Sequence, residues 1–194
     1  AIDDFSALGR LENLNYLNLQ AKNLTNIGEV VNPNINGLSI VGSSFDDPQG
    51  RGNLSDLSDL AGLTQLDLLE LKSLSVSDIS VLSTLPALSR ANLEDNSISD
   101  IQSLTAQRNL RDLNLKGNLI ETVNGVFDDW DRAANVDLSN NPIRCDEIDL
   151  IAQNENISLT FDSECVLSSD ADGDGIADDV DAFPDDPAAS VDTD

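Results

Sequence analysis

Six stretches of this chain can be laid over one another on their leucines, and nothing else in the sequence restricts the fold as strongly. "LDLLELKSLSVSDISVLSTLPA" begins at Leu66, "LSRANLEDNSISDIQSLTAQRN" at Leu88 and "LRDLNLKGNLIETVNGVFDDWDR" at Leu110, so each step is 22 residues. Further copies begin at Leu14, Ile35 and Ala133, and all share the skeleton L-x-x-L-x-L-x-x-N-x-I-x-x-I. In L-x-L two apolar side chains point inward and the one between points outward, as the period of a strand requires. Each copy therefore reads as a short strand, a turn and a loosely helical or 3₁₀ return. No single copy can bury its own leucines, but stacked copies share one continuous core.

The residues that define the pattern are Leu66, Leu69, Leu71, Val76, Ile79 and Leu82 in one copy. In the next they are Leu88, Leu93, Asn96, Ile98, Ile101 and Leu104. This resembles the leucine-rich repeat, most closely the 22-residue bacterial form with an "SDIxxLxxLxxL" tail found in internalins. The resemblance implies an α/β fold, a right-handed solenoid with about six parallel strands on its concave face. Asparagine at the ninth position (Asn96, Asn118, Asn141) is expected to form a buried ladder, its amide bonding to turn backbone in neighbouring coils. Lys22, Ser43 and Leu74 take that position in three copies, whose turns need other partners.

A solenoid needs caps, because a terminal coil would otherwise expose its core. "AIDDFSALGRLEN" reads as half a repeat with Ile2, Phe5, Leu8 and Leu11 at core positions. "NPIRCDEIDLIAQNENISLTFDSEC" reads as a C-terminal cap with a helix near residues 146–153. The chain's two cysteines, Cys145 and Cys165, fall within it. They fit one disulfide formed in an oxidising compartment, the alternative being two free thiols; the expectation is a bridge across the cap. Residues 43–53 stretch one repeat and predict a protruding loop. The repeat domain then covers residues 1–165.

Beyond it lies a tail, residues 166–194. Residues 168–194 hold ten aspartates and no basic residue. "DADGDGIADDVD" places acids at positions 1, 3, 5, 9 and 12 with glycine at 6, the oxygen spacing of a calcium loop. Asp170, Asp172, Asp174, Asp178 and Asp181 would offer carboxylates and Ile176 its carbonyl, with Gly175 allowing the turn. Position 12 is an aspartate where helix-flanked loops usually carry glutamate, and no amphipathic helices flank it. The string "DADGDGIADDVDAFPDDP" resembles the thrombospondin type 3 repeat, which implies a calcium-wrapped stalk. A dockerin is the rival family, although Pro184 interrupts where its helix would continue. A solvated acidic linker is the plain alternative. The closing "DTD" resembles the start of a further copy.

Charge limits the partners. Ten Lys+Arg face 36 Asp+Glu, a formal net charge of -26, so nucleic acid and anionic membranes would be repelled. No stretch is apolar enough to insert in a bilayer. The chain begins "AIDDF" and has no methionine, which suggests a processed or excised chain. There is no histidine for a triad or a zinc site, and no carboxylate pair sits in a recognisable hydrolase context, so catalysis is not expected. Secretion or display at the cell surface is.

Binding would use the outward strand residues, which fall in columns. One reads Tyr16, Gly37, Leu68, Arg90, Asp112, Asn135. The next reads Asn18, Ser39, Glu70, Asn92, Asn114, Asp137. A third reads Gln20, Val41, Lys72, Glu94, Lys116, Ser139. Tyr16, Leu68 and Arg90, with Glu70 and Asn92, are the candidate ligand contacts, since exposed apolar and arginine side chains on a rigid face make good anchors. The expected ligand is a protein; carbohydrate would call for more aromatic platforms. Two functions fit: a surface recognition protein with a calcium-binding stalk, or the non-catalytic module of a larger secreted enzyme.

Overall fold

A computed structural model of the chain describes residues 7–21, 23–42 and 52–162. The repeats fold into a leucine-rich repeat solenoid. Its strands are β1 (Tyr16–Gln20), β2 (Gly37–Val41), β3 (Leu68–Lys72), β4 (Arg90–Asn92), β5 (Asp112–Asn114), β6 (Ala134–Asp137) and β7 (Ile157–Thr160). They form one sheet in sequence order, and every pairing is parallel. The sheet thus has seven strands, one more than the repeat pattern predicts. The extra one lies inside the C-terminal cap, where Ile157 and Leu159 alternate with exposed polar residues and add to the edge of β6.

A 3₁₀ turn at Leu8–Arg10 precedes β1, and the chain returns between strands through others at Ile27–Glu29, Ser58–Leu60, Ser80–Thr84 and Gln102–Ala106. Among the described residues the α-helix is α1 (Cys145–Ala152) of the cap, within a residue of its expected place. All twelve pattern-defining residues of the copies at Leu66 and Leu88 are buried. At the first coil the expectation holds only in part. Leu8 packs against the core, but Leu11, which closes the 3₁₀ turn by donating its N–H to Leu8 O, is 50% exposed. Ile2 and Phe5 lie outside the described residues.

The asparagine ladder is present. The Asn96 amide donates to the carbonyls of Leu71 (2.6 Å), Leu93 (2.9 Å) and Glu94 (3.2 Å), and its Oδ1 accepts from Leu74 N and Val76 N, both 3.1 Å. Asn118 repeats this one coil on, accepting from Ile98 N, and Asn141, half-buried where the first two are buried, repeats it again, accepting from Ile120 N. Each asparagine thus stitches its own turn to the preceding one. The residue just before the ladder position turns left-handed in all these coils: Ser73 (φ 55°), Asp95 (57°), Gly117 (68°) and Asn140 (56°). These are small or polar residues that tolerate such a turn.

Where Leu74 replaces the asparagine, main chain takes over. Gly42 N donates to Lys72 O, Gly52 N to Ser73 O and Leu54 N to Leu74 O at 2.8–3.0 Å. A Cβ on Gly42 would sit 2.1 Å from Ser73 O and 2.6 Å from Gly52 N, so only glycine permits this approach. The remaining departures, Lys22 and Ser43, and residues 43–51 of the expected loop lie outside the described residues.

The "SD" of the repeat tail also has a structural role. Asp56, Asp78 and Asp100 each accept, through Oδ1, the backbone N–H two residues on (2.8–2.9 Å), fixing the start of the 3₁₀ return. The Ser58 hydroxyl and then its N–H hold the Asp56 carboxyl below its usual range, and the Ser80 N–H and then its hydroxyl do the same for Asp78. The copy at Leu110 has Thr122 there and lacks the acid. Glu147 of α1 supplies it from the cap, accepting from Thr122 Oγ1 (2.7 Å), Val123 N (3.0 Å) and Asn124 N (3.4 Å). Replacing Glu147 by alanine is expected to cost about 1–2 kcal/mol, the scale of a lost charged cap, and to make the cap a site of early proteolysis. An unchanged urea midpoint would show that the carboxylate is not what docks α1.

Candidate functional site

Two of the three outward columns line up along the whole sheet as the repeat register requires, the third pairing only from Gln20 through Val41 to Lys72; Ser39 and Ser139, expected to face outward, are buried. Tyr16, Gly37, Leu68, Arg90, Asp112 and Asn135 are Cα partners in successive strands, and so are Asn18, Ser39, Glu70, Asn92, Asn114 and Asp137. The cap strand extends them with Ser158 and Thr160. Over β3 to β7 this face encloses an open cavity of about 310 Å³. Its floor includes the strand residues Leu69, Ala91, Leu113 and Val136, whose side chains point into the core. Its walls are Leu68, Glu70, Arg90, Asn92, Asp112, Asn114, Asn135, Asp137 and Thr160. Four of the five candidate contacts, Leu68, Glu70, Arg90 and Asn92, therefore share one cavity.

Tyr16 does not join them. Its ring lies over Gly37, where a Cβ would sit 2.5 Å from Cδ2, and it is 52% exposed two strands from Leu68. It is a separate aromatic spot on the same face. Val41 and Leu68 are half-buried rather than free.

Arg90 does not stand alone on the face. Its Nη2 donates to Asp67 Oδ2 at 2.7 Å, and Ser89 Oγ donates to Asp67 Oδ1. The Ser89 hydroxyl first, and the Arg90 guanidinium second, hold the Asp67 carboxyl below its usual range. Asp67 in turn raises the Arg90 pKa, with lesser help from Asp112 and Glu70. Lys72 is likewise bonded to Glu94 (2.7 Å). Asp112 accepts from Asn135 Nδ2 at 2.7 Å.

Asn92 has a scaffold duty that its place among the candidates hid. Its Oδ1 accepts Glu94 N (3.2 Å); Asn114 accepts Lys116 N (2.9 Å) and Asp137 accepts Ser139 N (2.9 Å) at the same repeat position. These side chains close the turn after each strand. The signal was available, since an Asn or Asp recurs there in register in three successive copies. Their outer atoms still line the cavity.

Trp130, the chain's lone tryptophan, is buried at 3% exposure and meets Phe127 edge to face with centroids 5.1 Å apart. It is core and no ligand platform. Among the described residues no three Cys, Asp or Glu side chains converge closely enough to hold a metal ion, and no helix is long and apolar enough to cross a membrane. The calcium-loop residues Asp170, Asp172, Asp174, Ile176, Asp178 and Asp181, and the cysteine Cys165, lie outside the described residues.

No protein-family model matches the chain, and no curated protein matches it either. Solved structures do. An internalin (inlF) from Listeria monocytogenes is 20% identical with a TM-score of 0.54, over 95% of this chain and 61% of that one. A leucine-rich repeat protein from Leptospira interrogans is 20% identical with a TM-score of 0.56, over 79% of this chain and 44% of that one. The chain thus spans less than two thirds of the length of either structure. At these identities the likeness is one of fold.

Proposed function

We propose that the chain is a recognition module, secreted or displayed at the cell surface, that holds a partner protein against the exposed face of its sheet and performs no chemistry itself. The observation that supports this most is the cavity over β3–β7, where a half-buried leucine, an arginine and several amides and carboxylates meet on a rigid floor. A preorganised face of this kind loses little entropy when a partner docks. Leu68 is the apolar anchor and Arg90, already positioned by Asp67, the polar one.

Once a partner has been purified from an extracellular extract and titrated, Leu68→Ala should weaken it by more than about 1 kcal/mol, as a hot spot does. Tyr16→Ala should cost less, because Tyr16 stands apart from the cavity. Undiminished affinity in Leu68→Ala would move the site off this face.

Residues 166–194 complete the reading as a calcium-binding stalk, on the support of their sequence. Asp170, Asp172, Asp174, Asp178 and Asp181, with the Ile176 carbonyl, would hold one calcium, which cancels the repulsion among the carboxylates. An affinity of about 10⁻⁴–10⁻³ M is expected, as for extracellular modules. Calorimetry on the native chain and on Asp172→Ala/Asp174→Ala checks it. Equal calcium uptake by the two would leave the tail an acidic linker.

A further inference from the structure

The charges around the cavity are unequal, and this points to the chemistry of what it holds. Glu70, Asp112 and Asp137 line it against one cation, Arg90. That guanidinium is already bonded to a fourth carboxylate, Asp67, which lies outside the cavity. Neither lysine of the third column lines it, and Lys72 is held by Glu94. The carboxylates stand on three different strands, β3, β5 and β6, and no three of them converge enough to hold a metal ion. A small hard ion therefore does not match the pattern, whereas an organic cation on a flexible stem does.

The cavity also has an apolar end. Leu68 stands half-buried there, two strands from Asp112 and three from Asp137, a separation that seats an aliphatic side chain on Leu68 and a neighbouring cationic one at the two carboxylates. Within the described residues neither of these carboxylates is ion-paired, Asp112 being bonded to Asn135 and Asp137 to Ser139 N. A volume of about 310 Å³ is at the small end for ligand pockets, room for one or two side chains rather than a folded cofactor. We propose, resting on the recognition reading above, that the partner presents a basic segment, with an aliphatic side chain over Leu68 and the cation of a neighbouring arginine or lysine between Asp112 and Asp137. Charge complementarity of this kind governs both the choice of partner and the rate of encounter.

The test pans a random dodecapeptide library against the full chain and measures the selected peptides by calorimetry. Asp112→Asn/Asp137→Asn keeps both acceptor oxygens, so the bonds from Asn135 and Ser139 survive and the fold should too. Asp149→Asn/Glu155→Gln removes the same charge from the cap and controls for general attraction to an acidic protein. The expected result is selection of peptides with arginine or lysine beside an aliphatic residue. Their affinity should fall at least tenfold in the Asp112/Asp137 variant and less than twofold in the control. Selection of acidic or neutral peptides, equal losses in the two variants, or no selection would overturn the basic-anchor proposal. Leu68→Asp separates that failure from failure of the site: if it abolishes binding while Asp112→Asn/Asp137→Asn does not, the cavity stands and the cationic anchor falls. If neither variant matters, the recognition reading falls as well.

Discussion

Replacing Asn96 by leucine, the residue that Leu74 provides one coil earlier, is expected to lower stability by about 2–4 kcal/mol. Asn96 is 2% exposed, and its amide serves three carbonyls and two N–H groups in two coils. Leucine has similar volume but would leave Leu74 N, Val76 N and Leu71 O buried without these partners. Each buried orphan costs about 1–3 kcal/mol, partly recovered by local adjustment. The reverse exchange, Leu74→Asn, should also destabilise the chain, because Gly42, Gly52 and Leu54 already bond the backbone there and a new buried amide would find no free partner. Urea denaturation of both variants checks the pair. A neutral Asn96→Leu would mean that the ladder is not what holds the turns together.

The second large effect is expected at Trp130. Truncation to alanine empties the volume between the copy at Leu110 and the cap, where Trp130 packs on Phe127, and should cost about 3–5 kcal/mol. The cap reads this segment through its backbone: Asn154 Nδ2 donates to Phe127 O (2.8 Å) and Trp130 O (3.1 Å), and Asn156 Nδ2 to Trp130 O (3.4 Å). A collapse there should therefore loosen α1 and β7 as well. Trp130→Phe makes the sharper comparison. Among the described residues the indole Nε1 has no hydrogen-bond partner, so losing it removes none of the bonds seen there, and the cost should stay below about 1.5 kcal/mol. A phenylalanine variant as damaged as the alanine one would show that Nε1 does bind something.

The fold was legible because a repeat tests itself: one correct register predicts every inward leucine, and the strands pair as the columns required. What stayed hidden was set between coils rather than within one. The bond from Arg90 to Asp67 joins residues 23 apart, and it fixes the guanidinium that the column shows only as facing outward. The service of Glu147 to Thr122, Val123 and Asn124 crosses from the cap; its clue was the missing acid at Thr122, which the three preceding copies supply as Asp56, Asp78 and Asp100. The seventh strand was concealed by brevity. "ISLT" alternates correctly, but four residues after a helix carry too little signal to separate a strand from a loop. Leu11 was misplaced because the leucine spacing runs on past Leu8, whereas the 3₁₀ turn closes at Leu11.

Asn135 lines the cavity, exposed, and Thr105 is exposed on a return turn away from the strand face. Single cysteines placed at these positions, then carrying a bulky maleimide, make the most direct test of recognition on the sheet face. Binding of the selected peptides should be lost in labelled Asn135→Cys and kept in labelled Thr105→Cys. The opposite pattern, with binding blocked at Thr105 and untouched at Asn135, would contradict the account and place recognition on the returns.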